Sequence, residues 1–353
     1  MKKKFVTGIT TAALLASCCG TAIAAPSVIV NDQPLTLDQP PVIVDSRTLV
    51  PMRAIFEALG CEVQWNADTQ TVVAQKNLEY IFLTIGDNTL YADDRQITLD
   101  VPAQLIQNRT MVPLRAVSEA LDAKVSWDAA TETVTVTTPV DQSSYKYTTQ
   151  SFTETKGNVS VDMAYPQFYT RADADNTAIS RLNQQLAAAS HSRATASETE
   201  LNKLVDGTEV TFTCTVQERY AMTYNKGDYV SILFQNVQDT HGAHPMTVRA
   251  GSVYDMKTGT SLALTDILKG DQNAIDQLIL DGFTAQIRKN PAAFYAEAEE
   301  YLEKAVANHS YDFYLTDTGL TIFFQKYEIA PYVAGFQEYT IPFSRVDLFQ
   351  IQF

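Results

Sequence analysis

Histidine and cysteine are scarce in this chain of 353 residues, four of each, and only Cys61 and Cys214 lie clear of the N-terminal leader. Two lone cysteines exclude a disulfide-stapled fold, so stability has to come from packing, and both read as small buried residues. The histidines, none of them beside a cysteine or a compact acidic group, supply no zinc-type ligand set, and no cofactor is expected. His191 and His309 sit alone in polar, helical surroundings and read as surface residues. Positive charge is also in deficit, with 26 Lys and Arg against 41 Asp and Glu, a net of −15. Without Lys2, Lys3 and Lys4 the net is −18, which disfavours nucleic acid and anionic wall polymers and favours cationic partners, while also serving solubility. Beyond the leader no apolar run approaches the ~18–20 residues of a bilayer crossing, so no transmembrane segment is expected in the mature chain. Nucleophile-elbow, Walker, His-Glu-x-x-His and deacetylase-type His-x-x-x-His motifs are missing. Ser143-Ser144-Tyr145-Lys146 and Lys257-Thr258-Gly259 match two penicillin-binding-protein strings, but one lies in a linker and the other in a turn.

What is present begins with residues 1–25, where three lysines precede the apolar, Ala/Thr-rich stretch Phe5 to Ala16, the pattern of an export signal. Two processing routes stay open. Ala22-Ile23-Ala24 would release the chain, whereas Leu15-Ala16-Ser17-Cys18 would lipidate Cys18 and anchor it. Either route places the protein outside the cell or on its surface.

Residues 26–138 contain a module written twice, 62 residues apart. Arg47, Thr48, Val50, Pro51, Arg53, Glu57 and Trp65 recur as Arg109, Thr110, Val112, Pro113, Arg115, Glu119 and Trp127, and both tryptophans of the chain fall at the same place, so the segment is an internal duplication. In each copy the proline is pre-set for a first helical position, and Met52, Ile55, Phe56 and Leu59 then follow with helical spacing. Gly60 and Asp122 suit a left-handed helix stop. Val63 and Trp65 alternate with polar residues, Asn66-Ala67-Asp68 turns, and Thr71 to Ala74 returns, giving a helix packed on a hairpin. Arg53/Glu57 and Arg115/Glu119 stand one helical turn apart, which suits a surface ion pair or, for the arginines, a binding role.

The motif Arg-Thr-Leu-Val-Pro-Met-Arg, followed by Glu-Ala-Leu-Gly and Trp-Asn, resembles the copper amine oxidase N-terminal-like domain. The resemblance implies an extracellular module with no copper chemistry of its own, found beside wall-associated or secreted domains.

Polar residues 139–150 mark a linker, and a different domain follows over 151–353. Strands are expected at Val159–Met163, Val210–Val216 and Tyr229–Val237, helices at Ala178–Leu204, Gln272–Arg288 and Pro291–Ala307, and further strands over the last 40 residues. This is an α+β pattern, with helices on one face of a mainly antiparallel sheet. His241-Gly242-Ala243-His244, Tyr254-Asp255-Met256-Lys257-Thr258-Gly259 and Lys326-Tyr327-Glu328-Ile329-Ala330-Pro331-Tyr332 resemble the extracellular domain of anti-sigma-V factors, a domain that also accompanies some peptidoglycan deacetylases. That resemblance implies a ligand-binding fold, with lysozyme as the type of partner.

Candidate binding residues are His241, His244, Tyr327, Glu328, Tyr332 and Phe336. The two histidines equally suit a tight loop, and the aromatic run equally suits a buried turn or an exposed contact surface. The function expected is an exported, non-catalytic envelope protein that binds lysozyme, another cationic protein or peptidoglycan. A peptidoglycan-modifying enzyme, or an accessory module of a deacetylase system, is the alternative.

Overall fold

The computed structural model describes residues 26–92, 95–138, 143–169, 177–205, 212–242 and 244–353. The export signal and Cys18 lie outside the described residues. Two units separate, one ending at Pro139 and the other made of residues 75–79 and Val140–Phe353.

In the N-terminal unit the duplication is fully structural. Strands β1 (Ser27–Val30), β2 (Gln33–Pro34), β3 (Val42–Val44) and β4 (Arg47–Pro51) lead into helix α1 (Met52–Ala58) and the strands β5 (Glu62–Asn66) and β6 (Thr71–Lys76). After β7 (Glu79–Thr84) the same series recurs as β8 (Thr89–Ala92), β9 (Arg95–Thr98), β10 (Gln104–Ile106), β11 (Arg109–Pro113), α2 (Leu114–Ala120), β12 (Lys124–Asp128) and β13 (Thr133–Thr137). The repeat therefore starts about twenty residues before the Arg-Thr motif that reveals it.

The copies interlock rather than standing side by side. β4 pairs antiparallel with β11, with Val50 opposite Val112, and β1 pairs in parallel with β13, with Val28 opposite Val134. One core results, holding Val28 and Val30 of the first strand with Phe56, Val117, Val134 and Val136. The turns at Asp45-Ser46 and Gln107-Asn108 both take positive φ at two consecutive residues, the geometry of a tight hairpin. Gly60 (φ 87°) and Asp122 (φ 56°) end the two helices in the left-handed region.

Pro51 and Pro113 stand one residue earlier than expected. Each is the last residue of its strand and the cap of the helix, with ψ near 115° rather than helical. Ring-fixed φ and a missing N–H suit that corner as well as a first helical position.

In the C-terminal unit a six-stranded sheet runs β14 (Tyr147–Lys156), β15 (Val159–Phe168), β16 (Cys214–Lys226), β17 (Tyr229–Asp239), β18 (Met246–Asp255) and β19 (Thr260–Leu262). All neighbours are antiparallel except β15 and β16, which the long helix α3 (Thr177–Val205) connects. Helices α4 (Leu264–Ile267), α5 (Gln272–Lys289) and α6 (Ala298–Ala307) precede a three-stranded sheet of β20 (Asp312–Leu315), β21 (Gly319–Phe324) and β22 (Gln337–Pro342). Ile279 and Phe283 of α5 and Leu302 of α6 share a core with Ile322 and Phe324 of β21. The fold is α+β, with helices on mainly antiparallel sheets.

Two element boundaries differ from expectation. Pro291–Ala293 forms a 3-10 turn and α6 starts only at Ala298, because the intervening Tyr295 N–H goes to the Ile329 carbonyl. Phe212 is not in a strand and is exposed, with its ring against that of His241. Gly251 has a structural reason: a Cβ there would lie 1.9 Å from the Phe313 carbonyl oxygen, so only glycine lets β18 approach β20 this closely. Cys61 and Cys214 are both buried, and burial pushes the Cys214 thiol up.

Candidate functional site

The segment between β21 and β22 is held against β18 before any side chain faces solvent. Gln325 acts as a strand substitute: its amide accepts from the Arg249 N–H at 3.0 Å and donates to the Arg249 carbonyl at 2.7 Å. Glu328 accepts from the Gln325 N–H at 2.6 Å, and its half-buried carboxyl is pushed up from the usual carboxylate range by desolvation. Tyr327 can then adopt φ 71°, and Pro331 opens a 3-10 turn over Tyr332–Ala334. Through this bond Glu328 braces the loop.

On that loop an aromatic cluster forms with a histidine more than eighty residues earlier. The His244 ring stacks on Tyr332, centroids 4.1 Å apart and planes 25° apart, and its Nε2 lies 3.0 Å from the Tyr327 hydroxyl. Tyr332 donates to the Pro245 carbonyl at 3.1 Å. Lys326 places its ammonium 4.2 Å from the Tyr332 ring centre and 5.1 Å from that of Phe336, and Arg249 covers Phe336 at 4.2 Å. Arg249 is partly neutralised by Glu338 at 3.5 Å, whereas no carboxylate among the described residues pairs with Lys326. Around the cluster Tyr327 (47%), Met246 (51%) and Val333 (93%) are exposed, a concentration of apolar surface that a lone exposed residue would not make. His244 and Met246 also line a cleft of about 530 Å³ with Gln238 and the end of α3.

Four of the six expected residues, His244, Tyr327, Tyr332 and Phe336, are thus brought together. His241 is not among them. Its φ of 57° turns it aside, with Nε2 3.3 Å from the Thr213 carbonyl and its ring on Phe212, so the two histidines do not share a site. Lys326, Arg249 and Val333 were missed as site residues. Lys326 stood beside the aromatic run in plain view, but nothing in the sequence joins Arg249 to it. Among the described residues no group of three or more His, Cys, Asp or Glu side chains is placed to hold a metal ion, and no helix is long and apolar enough to cross a membrane.

In the N-terminal unit the first arginine of each motif reaches into the other copy. Arg47 pairs with Asp100 at 2.5 Å, and Arg109 with Asp38 at 2.6 Å. The signal was available, since Leu-Thr-Leu-Asp at 35–38 recurs as Ile-Thr-Leu-Asp at 97–100 with the same 62-residue offset. Arg53 donates to the Val63 carbonyl at 3.0 Å and meets Glu57 at 3.4 Å, so the expected helical ion pair exists in the first copy. No Arg115–Glu119 pair forms in the second; both residues face solvent, where such a pair gains little. Trp65 and Trp127 are not packed into the hairpins' inner faces but stand 43% and 45% exposed.

Comparison with known proteins divides the chain along similar lines. Residues 29–136 match the family described as Copper amine oxidase N-terminal domain, 152–247 match Deacetylase PdaC, and 265–344 match a protein family of unknown function, DUF3298. A curated protein from Brevibacillus choshinensis named "Protease inhibitor" is 32% identical over 78 residues, 22% of this chain; the chain spans 24% of that relative's length. Among solved structures, a DUF3298 family member from Bacteroides fragilis (15% identical) and one from Pseudomonas aeruginosa (18%) each resemble 60% of this chain and 95% of their own, both with a TM-score of 0.40. The N-terminal unit therefore resembles copper amine oxidase N-terminal domains, and the C-terminal unit carries the PdaC-like and DUF3298-like segments in that order.

Proposed function

We propose that this is an exported, non-catalytic cell-envelope protein whose C-terminal unit binds peptide-bearing wall glycan on the His244–Tyr332 surface. The observation that carries this reading is the His244–Tyr327–Tyr332 stack with the Lys326 ammonium set against it, open to solvent. Flat aromatic faces suit the C–H faces of sugar rings, and a cation without a carboxylate partner suits the carboxylates of stem peptides. The stack is pinned by Gln325 and by the Tyr332–Pro245 hydrogen bond, so little ordering has to accompany binding. Two ring-stacked cations make this face a poor match for a cationic lysozyme, although the chain as a whole is at −15. The PdaC and DUF3298 matches are in keeping with a cell-wall role.

The test is calorimetric titration of the full chain, at ~0.15 M salt, with soluble muropeptides and separately with lysozyme. Saturable heat with muropeptides is expected, with Tyr332→Ala weakening affinity about tenfold, roughly 1–1.5 kcal/mol. Lack of heat from a folded sample, or binding to lysozyme alone, sinks the reading. The PdaC match over 152–247 favours one second reading, an accessory or catalytic part in deacetylation. Acetate released from N-acetylated muropeptides by the purified chain would replace the non-catalytic reading with that one.

A further inference from the structure

A second surface, in the N-terminal unit, is independent of the aromatic cluster. A groove of about 580 Å³ is lined by Arg53 and Glu57 of α1, Trp65 of β5, and Leu105, Asn108 and Arg109 of the β10–β11 hairpin of the other copy. The 62-residue offset maps this lining onto a second set of residues in the duplicated sequence, Arg115, Glu119 and Trp127 together with Ile43, Ser46 and Arg47.

The pattern of identity between the copies points to what was retained. Residues 27–76 and 89–138 agree at 20 of 50 positions. Of the 14 positions lining the groove, only Met52/Leu114, Leu105/Ile43 and Asn108/Ser46 differ, so 11 of 14 are identical against 9 of the remaining 36. Packing alone would favour the opposite distribution, with the core held and the surface drifting. Instead core positions have drifted, as with Phe56/Ser118 and Cys61/Ala123, while the half-exposed indole has been kept twice. Arg47–Asp100 and Arg109–Asp38 explain two of the identical positions as cross-links. They do not explain an exposed tryptophan flanked by an arginine and a glutamate.

We propose that the N-terminal unit carries two equivalent sites for a neutral glycan chain, one on Trp65 and one on Trp127. Charge selects the ligand. Asp38, Glu57, Arg53 and Arg109 cancel within the first groove, as Asp100, Glu119, Arg115 and Arg47 do within the second, so each is neutral on a strongly acidic protein. An indole face bordered by guanidinium, carboxylate and amide groups matches a sugar ring, apolar on its C–H face and rimmed with hydroxyls. Two weak sites on one unit engage a polymer with an avidity neither has alone.

The only tryptophans of the chain are the two groove residues, so intrinsic fluorescence reports directly on occupancy. The full chain is titrated with the neutral β-1,4-linked hexamer of N-acetylglucosamine. A saturable change in emission is expected, with Trp65→Ala and Trp127→Ala each removing about half the amplitude and the double variant losing binding to an immobilised polymer of the same sugar by more than tenfold. Trp65→Phe, which keeps a ring, stays within about threefold of the wild type and controls for folding. Tyr332→Ala leaves the signal unchanged, so failure of this proposal and failure of the muropeptide site read out separately. Absence of a saturable change in a folded sample overturns the proposal, as does equal binding by the double variant. So does a response to extended peptides instead of the glycan, since the edge strands β3 and β10 border the grooves.

Discussion

The two units place their ion pairs differently. In the N-terminal unit the pairs that join the copies, Arg47–Asp100 and Arg109–Asp38, lie at the surface, each partner between 43% and 62% exposed. The C-terminal unit buries its strongest pair: Glu218 on β16 is 1% exposed and takes two hydrogen bonds from Arg193 of α3, at 2.6 and 2.8 Å, with Ser190 3.3 Å away. Surface pairs set register at little energetic gain, whereas a buried pair commits the structure, because removing one partner strands the other charge. Losing one charge of its pair should therefore cost the C-terminal unit more stability than it costs the N-terminal one.

The largest expected effect breaks that contrast directly. Glu218→Ala leaves the Arg193 guanidinium against Phe234 with no carboxylate and lowers stability by about 3 kcal/mol. Both tryptophans lie in the N-terminal unit, so in a thermal melt their fluorescence should hold its midpoint while the circular dichroism of the C-terminal unit shifts down. If the tryptophan transition moves equally, the units melt as one and the contrast dissolves.

A second, smaller effect belongs to pH. Asp312, at the close approach of β18 and β20, is mostly shielded from solvent and accepts from the Gly251 N–H at 3.0 Å. Desolvation pushes its carboxyl up to about 6, with the N–H groups of Phe313 and Gly251 opposing the shift. A folded-state value above the ordinary carboxylate value means that the folded protein binds the proton more tightly. The contribution is then fully present below about pH 4 and is lost as pH rises through about 6, on the order of 2 kcal/mol. Glu328 shifts in the same direction. Asp312→Asn should flatten the stability profile of the C-terminal unit between pH 4 and 6, and an unchanged profile in that variant would show that the carboxylate is better solvated than its position implies.

How much of this was legible in the sequence also divides by unit. The duplication, its helices and hairpins, and the stop positions at Gly60 and Asp122 were legible because each is local: period, proline and glycine act within a few residues. Interlocking was not, because the hydrophobic pattern of β4 states which face is buried but not that Val50 meets Val112 instead of a strand of its own copy. The Asp38 and Asp100 partners repeat as clearly as the tryptophans, yet they precede the conspicuous motif, and repetition alone does not say that each aspartate meets the arginine of the other copy. In the C-terminal unit α3 and the β16–β17 hairpin follow from pattern, as does the turn at Lys257-Thr258-Gly259. The meeting of His244 with Tyr332 depends on how β18 packs beside the β21–β22 loop, which no local rule encodes. His241 and His244 lie in a loop where the backbone passes through positive φ at His241, so their closeness in sequence does not place their rings together.

The smallest effect sharpens the view of the N-terminal unit as two equal halves. Two double-mutant cycles, Arg47/Asp100 and Arg109/Asp38, measure the same contact made twice, with nearly matched geometry and exposure. Each coupling should be small, and the two should agree within the error of the measurement. Both should shrink together at 1 M salt, because neither pair is buried enough to escape screening. Unequal couplings would mean that the halves carry different loads despite their shared geometry, and would locate the asymmetry that Ser118, a buried hydroxyl with no hydrogen-bond partner where the first copy has Phe56, already introduces into the core.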